Sequence, residues 1–267
     1  MREVVLTIPR LAVEDVLDRL LPIVPGGVRE RPAGRHLELR MRGPEVPELA
    51  EIERAVGRWP HRLSEHEVAD DWRERRLAEY EQDAIGGRLV VRPDWAPEPR
   101  PGVIDIVLSD SAAFGGGTHQ TTRTCLELLL DLPPSGSFAD LGCGTGVLAI
   151  LAARLGWKPV VAMDLQPAAV EAARTNASLN EVEIEVVVAD LSEQPPPAAD
   201  GFAANVPAAL HAIIAAAWGN HASGAGLISG FDPSEAAGVL GTYAACGLRE
   251  RRRVESQGWV VAELDRG

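Results

Sequence analysis

Residues 138–150, FADLGCGTGVLAI, put Asp140 at the end of an apolar run, Gly142, Gly144 and Gly146 at alternate positions behind it, and an apolar helical pattern from Val147 onward. Glycines at a strand-to-helix turn let a ligand come close to the backbone. A dinucleotide site would read G-x-G-x-x-G, with the helix start facing a pyrophosphate. Here the spacing is G-x-G-x-G behind an acid, whose charge would repel a pyrophosphate and suits a cationic amino group. The next apolar run, VVAMD, ends in Asp164, 18 residues after Gly146, where a carboxylate can accept from both hydroxyls of a ribose. A third run, VVVAD, ends in Asp190, which either reaches a base edge or caps a helix.

A second constellation lies upstream in AFGGGTHQTTRTC, residues 113–125. It is no P-loop, because no lysine follows the glycines. Three successive glycines beside Thr118, Thr121, Thr122 and Thr124 describe a backbone free to adopt positive φ and cover another surface, with hydroxyls to satisfy what it covers. His119 is the one histidine in such a segment; it either accepts a proton or orients an acceptor group, or bonds to the local backbone. His36, His61, His66, His211 and His221 have no carboxylate or cysteine at metal-ligand spacing and read as surface or core residues. No metal site is expected.

These residues need a scaffold. After residue 114, strands at 138–141, 160–163, 184–189, 202–204 and 226–229 alternate with helices such as 147–155, 168–176 and 208–217, the pattern of a parallel sheet covered on both faces. Residues 248–255 and 259–264 flank Gly258 as an antiparallel hairpin. The first 60 residues read as a small β-α-β-α module: strands at 4–8 and 36–41, helices at 13–21 and 46–56. From Glu65 to Asp83, eight acidic residues face three arginines, which reads as a charged helical connector; two extended segments follow, at 88–92 and 103–108.

Composition narrows the functions open to such a chain. Its 267 residues, 46% hydrophobic, suffice for one large or two smaller cores. A net charge of −13 argues against general binding to nucleic acid and favours a neutral or basic partner. Three widely spaced cysteines without a C-x-x-C pair suggest neither disulfide framework nor zinc site, and point to a reducing cytoplasm. Neither a signal-peptide core nor a membrane span is expected, since the alanine-rich stretch at 202–218 is broken by Asn205, Pro207 and His211.

DLGCGTG with MD behind it resembles the S-adenosyl-L-methionine site of the class I methyltransferases. The segment from Phe114 to Leu126 narrows this: it is similar to the F-G-T-G-x-H-x-T-T-x-x-C-L segment of the methyltransferases that modify ribosomal large-subunit protein eleven. The likeness continues through RLVVRPDW, RTNASLN, AAN, LISG and GWVVAEL. It departs at Gly116, where the family has threonine, at the connector RERRLAEYEQDA, and at Val206-Pro207. The resemblance implies an α/β class I methyltransferase fold, Rossmann-like, with a mostly parallel seven-stranded sheet over residues 85–267. It also implies a small amino-terminal α+β domain over residues 1–60 that grips the substrate protein, and a helical linker over residues 61–84. Its cofactor would be S-adenosyl-L-methionine, contacted by Thr122, Gly142, Asp164 and Asn205, with Asp140 and Gly144 shaping the methionine end, Asp190 near the base, and Phe114 and Thr118 in a covering flap.

The acceptors implied are lysine side chains and the amino-terminal amine of ribosomal large-subunit protein eleven. A monomeric enzyme with no direct nucleic-acid or membrane partner is expected. Asn205 is expected to orient the amine through its side-chain oxygen, against the plain reading of an Asx turn; His119 joins it as a catalytic candidate. Methyl transfer from a sulfonium is an in-line displacement, so alignment of a neutral amine is the site's main task. Two other readings share the motifs: a methyltransferase for another protein or small amine, and a cofactor-binding protein without turnover.

Overall fold

The computed structural model describes residues 2–24, 27–34, 36–43, 45–67, 77, 80, 82–109, 119–218 and 224–266. The chain divides into two compact units, Met1–Glu79 and Tyr80–Gly267.

In the first unit, β1 (Arg2–Pro9) alternates Val4, Leu6 and Ile8 inward with Glu3, Val5 and Thr7 on its other face. It is flanked by β3 (His36–Arg42) and β4 (Arg62–Glu67), and β2 (Arg29–Ala33) pairs β3, giving an antiparallel sheet of order β2-β3-β1-β4. Helices α1 (Val13–Leu20) and α2 (Leu49–Val56) supply Val16, Leu20, Ile52 and Val56 to one core with Val4, Leu6 and Ile8. Glu3 is buried and ion-paired with Arg42 and with Arg40 at 3.7 Å. Strand β4 corrects the expected linker: residues 62–67 pair with β1, Arg2 opposite Glu67, and do not open a helical connector. The remainder of that charged run, apart from Leu77, Tyr80, Gln82 and Asp83, lies outside the described residues.

The second unit begins with a three-stranded sheet of β5 (Ala84–Ile85), β6 (Leu89–Pro93) and β7 (Ile104–Leu108), in which β6 and β7 run parallel. Arg92 in β6 locks it by a forked pair to Asp105, Nη2 to Oδ2 at 2.7 Å. Helix α3 (Gln120–Leu129) follows. The main sheet contains β8 (Phe138–Leu141), β9 (Val160–Asp164), β10 (Glu185–Val188), β11 (Gly201–Asn205), β12 (Gly226–Phe231), β13 (Leu248–Ser256) and β14 (Trp259–Arg266). Their order is β10-β9-β8-β11-β12-β14-β13, and β14 alone runs antiparallel to the other strands, pairing with both β12 and β13. The seven-stranded, mostly parallel sheet that the resemblance implies is what these strands build.

Helices α4 (Val147–Leu155) and α5 (Pro167–Leu179) share a core with α3 on one face of this sheet, around Phe138, Val160 and Ala162. Helices α6 (Ala208–Trp218) and α7 (Ala236–Ala245) pack on the other, around Ala139, Leu141 and Phe202. From β8 the chain steps out through β9 to β10, then returns to the opposite side of β8 as β11. The crevice beyond the carboxyl ends of β8 and β11 is therefore the topological switch point, the usual ligand site of a doubly wound sheet.

Candidate functional site

The glycine turn sits at one lip of that crevice. Gly142, Gly144 and Gly146 have φ of 72°, 53° and 76°, conformations in which a side chain is strained. Sterics add to this: a Cβ on Gly142 would lie 2.5 Å from Cγ1 of Val206, and one on Gly146 would lie 2.9 Å from Cβ of Ala173. Gly142 and Cys143 donate to the Met163 carbonyl at 2.8 and 2.9 Å, which ties the turn to β9.

Asp164 ends β9 beside the turn. Its Oδ2 accepts from the Gly144 N–H and its Oδ1 from the Gln166 N–H, each at 2.9 Å. A carboxylate oxygen has two acceptor positions, so each keeps one for a ligand hydroxyl. Asp140 is enclosed, 1% exposed, with Oδ2 accepting from the Ala149 N–H at 3.0 Å. Burial, reinforced by the nearby Asp164 charge and opposed by the Ala149 hydrogen bond, pushes its carboxyl up to about 7. No helix directly follows Asp190, which closes a turn instead: Oδ1 accepts from the Ser192 N–H at 2.8 Å and from the Ser192 hydroxyl, which hold its carboxyl below the usual range.

Asn205, the last residue of β11, faces the turn from the other lip. Its Nδ2 donates to the Thr121 hydroxyl at 3.1 Å and the Thr122 hydroxyl at 3.4 Å. With the N–H groups so engaged, Oδ1 is the acceptor the side chain can offer. His119 is the N-cap of α3: its Nδ1 accepts from the Thr121 N–H at 3.4 Å and lies 2.8 Å from the Thr121 hydroxyl. Thr121 Oγ1 accepts from Asn205 and donates to His119, so one hydroxyl joins the two residues. The His119 ring also meets Trp259 edge-on, centroids 5.7 Å apart. Phe114, Gly116 and Thr118 lie outside the described residues, and with them the expected flap.

Asn176 was missed by sequence reasoning. It is wholly buried in α5, accepts at Oδ1 from the Ser109 N–H at 2.8 Å and the Ser109 hydroxyl at 2.9 Å, and donates to the Thr145 carbonyl at 2.9 Å. Thus it anchors the end of β7 to the glycine turn. One turn later Asn180 accepts from the Val107 N–H and donates to its carbonyl. Two asparagines four residues apart share a helix face, and that spacing in RTNASLN was the available signal. Val206, a departure from the family segment, is the residue that seats on Gly142.

The arrangement suits a ligand with a ribose and a charged end. Among the described residues, no group of three or more His, Cys, Asp or Glu could hold a metal. Burial pushes the Cys125 thiol up to about 12 and raises Cys143 as well, so neither supplies a thiolate nucleophile near neutral pH. Turn glycines at positive φ, an Asp164 carboxylate with acceptor positions to spare and an enclosed acid at Asp140 fit the cofactor that the resemblance implies.

Residues 48–266 match the family model described as Ribosomal protein L11 methyltransferase (PrmA). The chain is 42% identical over 134 residues to a "Ribosomal protein L11 methyltransferase" of Geobacter metallireducens, covering 50% of this chain and 44% of that protein. To the protein of the same name from Symbiobacterium thermophilum it is 41% identical over 143 residues, covering 53% and 47%. The matched region thus spans about half the length of these curated relatives. Among solved structures, the ribosomal protein L11 methylase of Lactobacillus delbrueckii subsp. bulgaricus superposes with a TM-score of 0.63 at 24% identity, over 70% of this chain and 99% of that one. The family match over residues 48–266 contains both lips of the crevice, and the chain belongs to the ribosomal protein L11 methyltransferase family.

Proposed function

We propose that this chain transfers methyl groups from S-adenosyl-L-methionine to lysine side chains and the amino-terminal amine of ribosomal large-subunit protein eleven. Family membership supports the reaction class, and the placement of Asn205 carries the reading: its amide is fixed by Thr121 and Thr122 across the crevice from the glycine turn and Asp164. When bound, the cofactor supplies an electrophilic methyl on a sulfonium. Asp164 would hold its ribose hydroxyls, while Gly142 and Gly144 leave room for its methionine end.

The remaining task falls to the acceptor side. A lysine is about 0.04% neutral at pH 7, equivalent to roughly 4.6 kcal/mol, and desolvation beside a positive sulfonium lowers its affinity for the proton. Asn205 Oδ1 accepts an N–H of the entering amine and aims the nitrogen lone pair along the line of displacement. Held this way, the amine nitrogen would face the methyl that the bound cofactor presents, and the proton of the methylated ammonium would leave to solvent. His119, with Nδ1 committed to the α3 cap and to Thr121, orients that hydroxyl and so acts on the amine through Asn205. The amino-terminal unit, with a core of its own, would grip the protein substrate, and the net charge of −13 suits a basic ribosomal protein. No helix among the described residues is long and apolar enough to cross a membrane. The three cysteines are free, as a reducing cytoplasm would keep them.

Asn205→Ala tests the central role. The expected result is a loss of about 10²-fold in kcat with cofactor Kd within about threefold of wild type. Equal losses in both would assign Asn205 to cofactor binding instead.

A further inference from the structure

His211, in the first turn of α6, is completely buried, and the proposed chemistry makes no use of it. Its ring stands edge-on to Phe231 and Tyr243. Nε2 lies 3.2 Å from the Val206 carbonyl oxygen and 3.0 Å from that of Ser229, while Nδ1 lies 2.9 Å from the Tyr243 hydroxyl. Carbonyls only accept, so the proton sits on Nε2, and Nδ1 accepts the Tyr243 O–H. Burial disfavours the imidazolium and keeps the ring neutral, its affinity for a second proton below the ordinary value.

Both carbonyls belong to the acceptor lip of the crevice. Ser229 pairs with Asn205 across β11 and β12, and its carbonyl also accepts the Val206 N–H at 3.1 Å. Val206 follows Asn205 directly. Its side chain presses on Gly142, and its main chain crosses Gly230 so closely that a Cβ there would collide with the Val206 carbonyl. Pro207 comes next and has no N–H with which to secure the turn, which leaves the Val206 carbonyl as the handle on that side. Ser229 is held from behind, its hydroxyl donating to the Val260 carbonyl at 2.8 Å.

We propose that His211 is a positioning residue for methyl transfer: as a neutral Nε2–H donor it ties the Val206 and Ser229 carbonyls together and fixes the backbone from which Asn205 reaches Thr121 and Thr122. The inference rests on the role given to Asn205 in the proposed function. A small rotation of the Val206 peptide would swing the Asn205 amide away from its hydroxyl partners, and misplacement by about 1 Å can cost 10²-fold in rate.

Two substitutions of similar polarity separate positioning from mere core filling. In His211→Gln the side-chain amide nitrogen reaches the place of Nε2 and can donate to the carbonyls; in His211→Asn the shorter amide reaches only the Nδ1 side, toward Tyr243. We expect kcat within about threefold of wild type for His211→Gln and about 10²-fold lower for His211→Asn, with cofactor Kd within about threefold for both. A purely structural histidine would give lower thermal stability in both and the same kcat per folded molecule. The side-chain amide resonances of Asn205, identified by their loss in Asn205→Ala, give a readout independent of turnover: they should shift in His211→Asn and stay in place in His211→Gln. If wild type modifies no ribosomal protein eleven while these resonances behave as expected, the substrate assignment fails and the positioning stands; resonances unmoved in both variants overturn the positioning. Should neither variant fold, ring-nitrogen resonances of the wild-type protein decide: protonation at Nε2 is required, and a proton on Nδ1 alone overturns the proposal.

Discussion

An ionised carboxylate enclosed as Asp140 is opposes folding. Its folded value of about 7 stands above the usual 3.8, so between those values the native state holds a proton that the unfolded chain has released. Stability then falls as pH rises through that window, by up to about 1.4 kcal/mol per unit, and the loss is complete above pH 7. Asp140→Asn keeps an acceptor for the Ala149 N–H and removes the charge. In ligand-free thermal melts from pH 4 to 8 the variant should gain on wild type by a few kcal/mol as pH rises; parallel curves would contradict the burial argument. Gly142 offers a second test at this scale. Gly142→Ala meets both a φ of 72° and the Val206 methyl, and should lower stability by about 1–3 kcal/mol and weaken cofactor binding with it. Asp164 was legible from its place at the end of an apolar run 18 residues after Gly146, whereas Asn205 was legible only through the resemblance of AAN to the family segment. His211 was not, since a lone histidine among alanines carries no spacing that tells a clamp from a filler.

The elements that were legible are those whose local pattern and tertiary surroundings agree. Strands β8, β9 and β11 are short apolar runs because helices cover both faces, and each was recognisable from its residues. Strands β2 and β4 escaped notice: RERPA and RLSEHE are charged edge strands whose pairing with β3 and β1 is set by the sheet and not by their own apolarity. Helix α7, AAGVLGTYAA, carries two glycines that weaken a helical signal, and packing of Ala236, Val239 and Tyr243 decides in its favour. Hydrogen bonds between elements were likewise invisible. Asn176 joins α5 to β7 and to the glycine turn, and Asn176→Ala removes the amide that meets the Ser109 N–H and the Thr145 carbonyl. We expect a loss of about 3 kcal/mol in chemical denaturation, against a loss near zero if water replaced the amide.

Charge is divided unevenly over the whole molecule. Residues 1–79 contain 14 Lys and Arg against 16 Asp and Glu, leaving 12 against 23 for residues 80–267, so the units carry −2 and −11. The field that would draw a basic protein therefore comes from the unit holding the crevice. Transfer to a basic protein should lose kcat/KM severalfold as ionic strength rises from about 0.01 to 0.15 M, where the Debye length shortens from about 30 to 8 Å, while cofactor Kd changes little. An unchanged kcat/KM would remove electrostatics from substrate capture. The most direct test of the account is intact-mass spectrometry of unmodified ribosomal protein eleven incubated with this protein and S-adenosyl-L-methionine, beside an Asp164→Ala control. Successive methyl increments with the intact protein and few or none with the control are predicted; an unchanged mass, with cofactor binding demonstrated in the same sample, would contradict it.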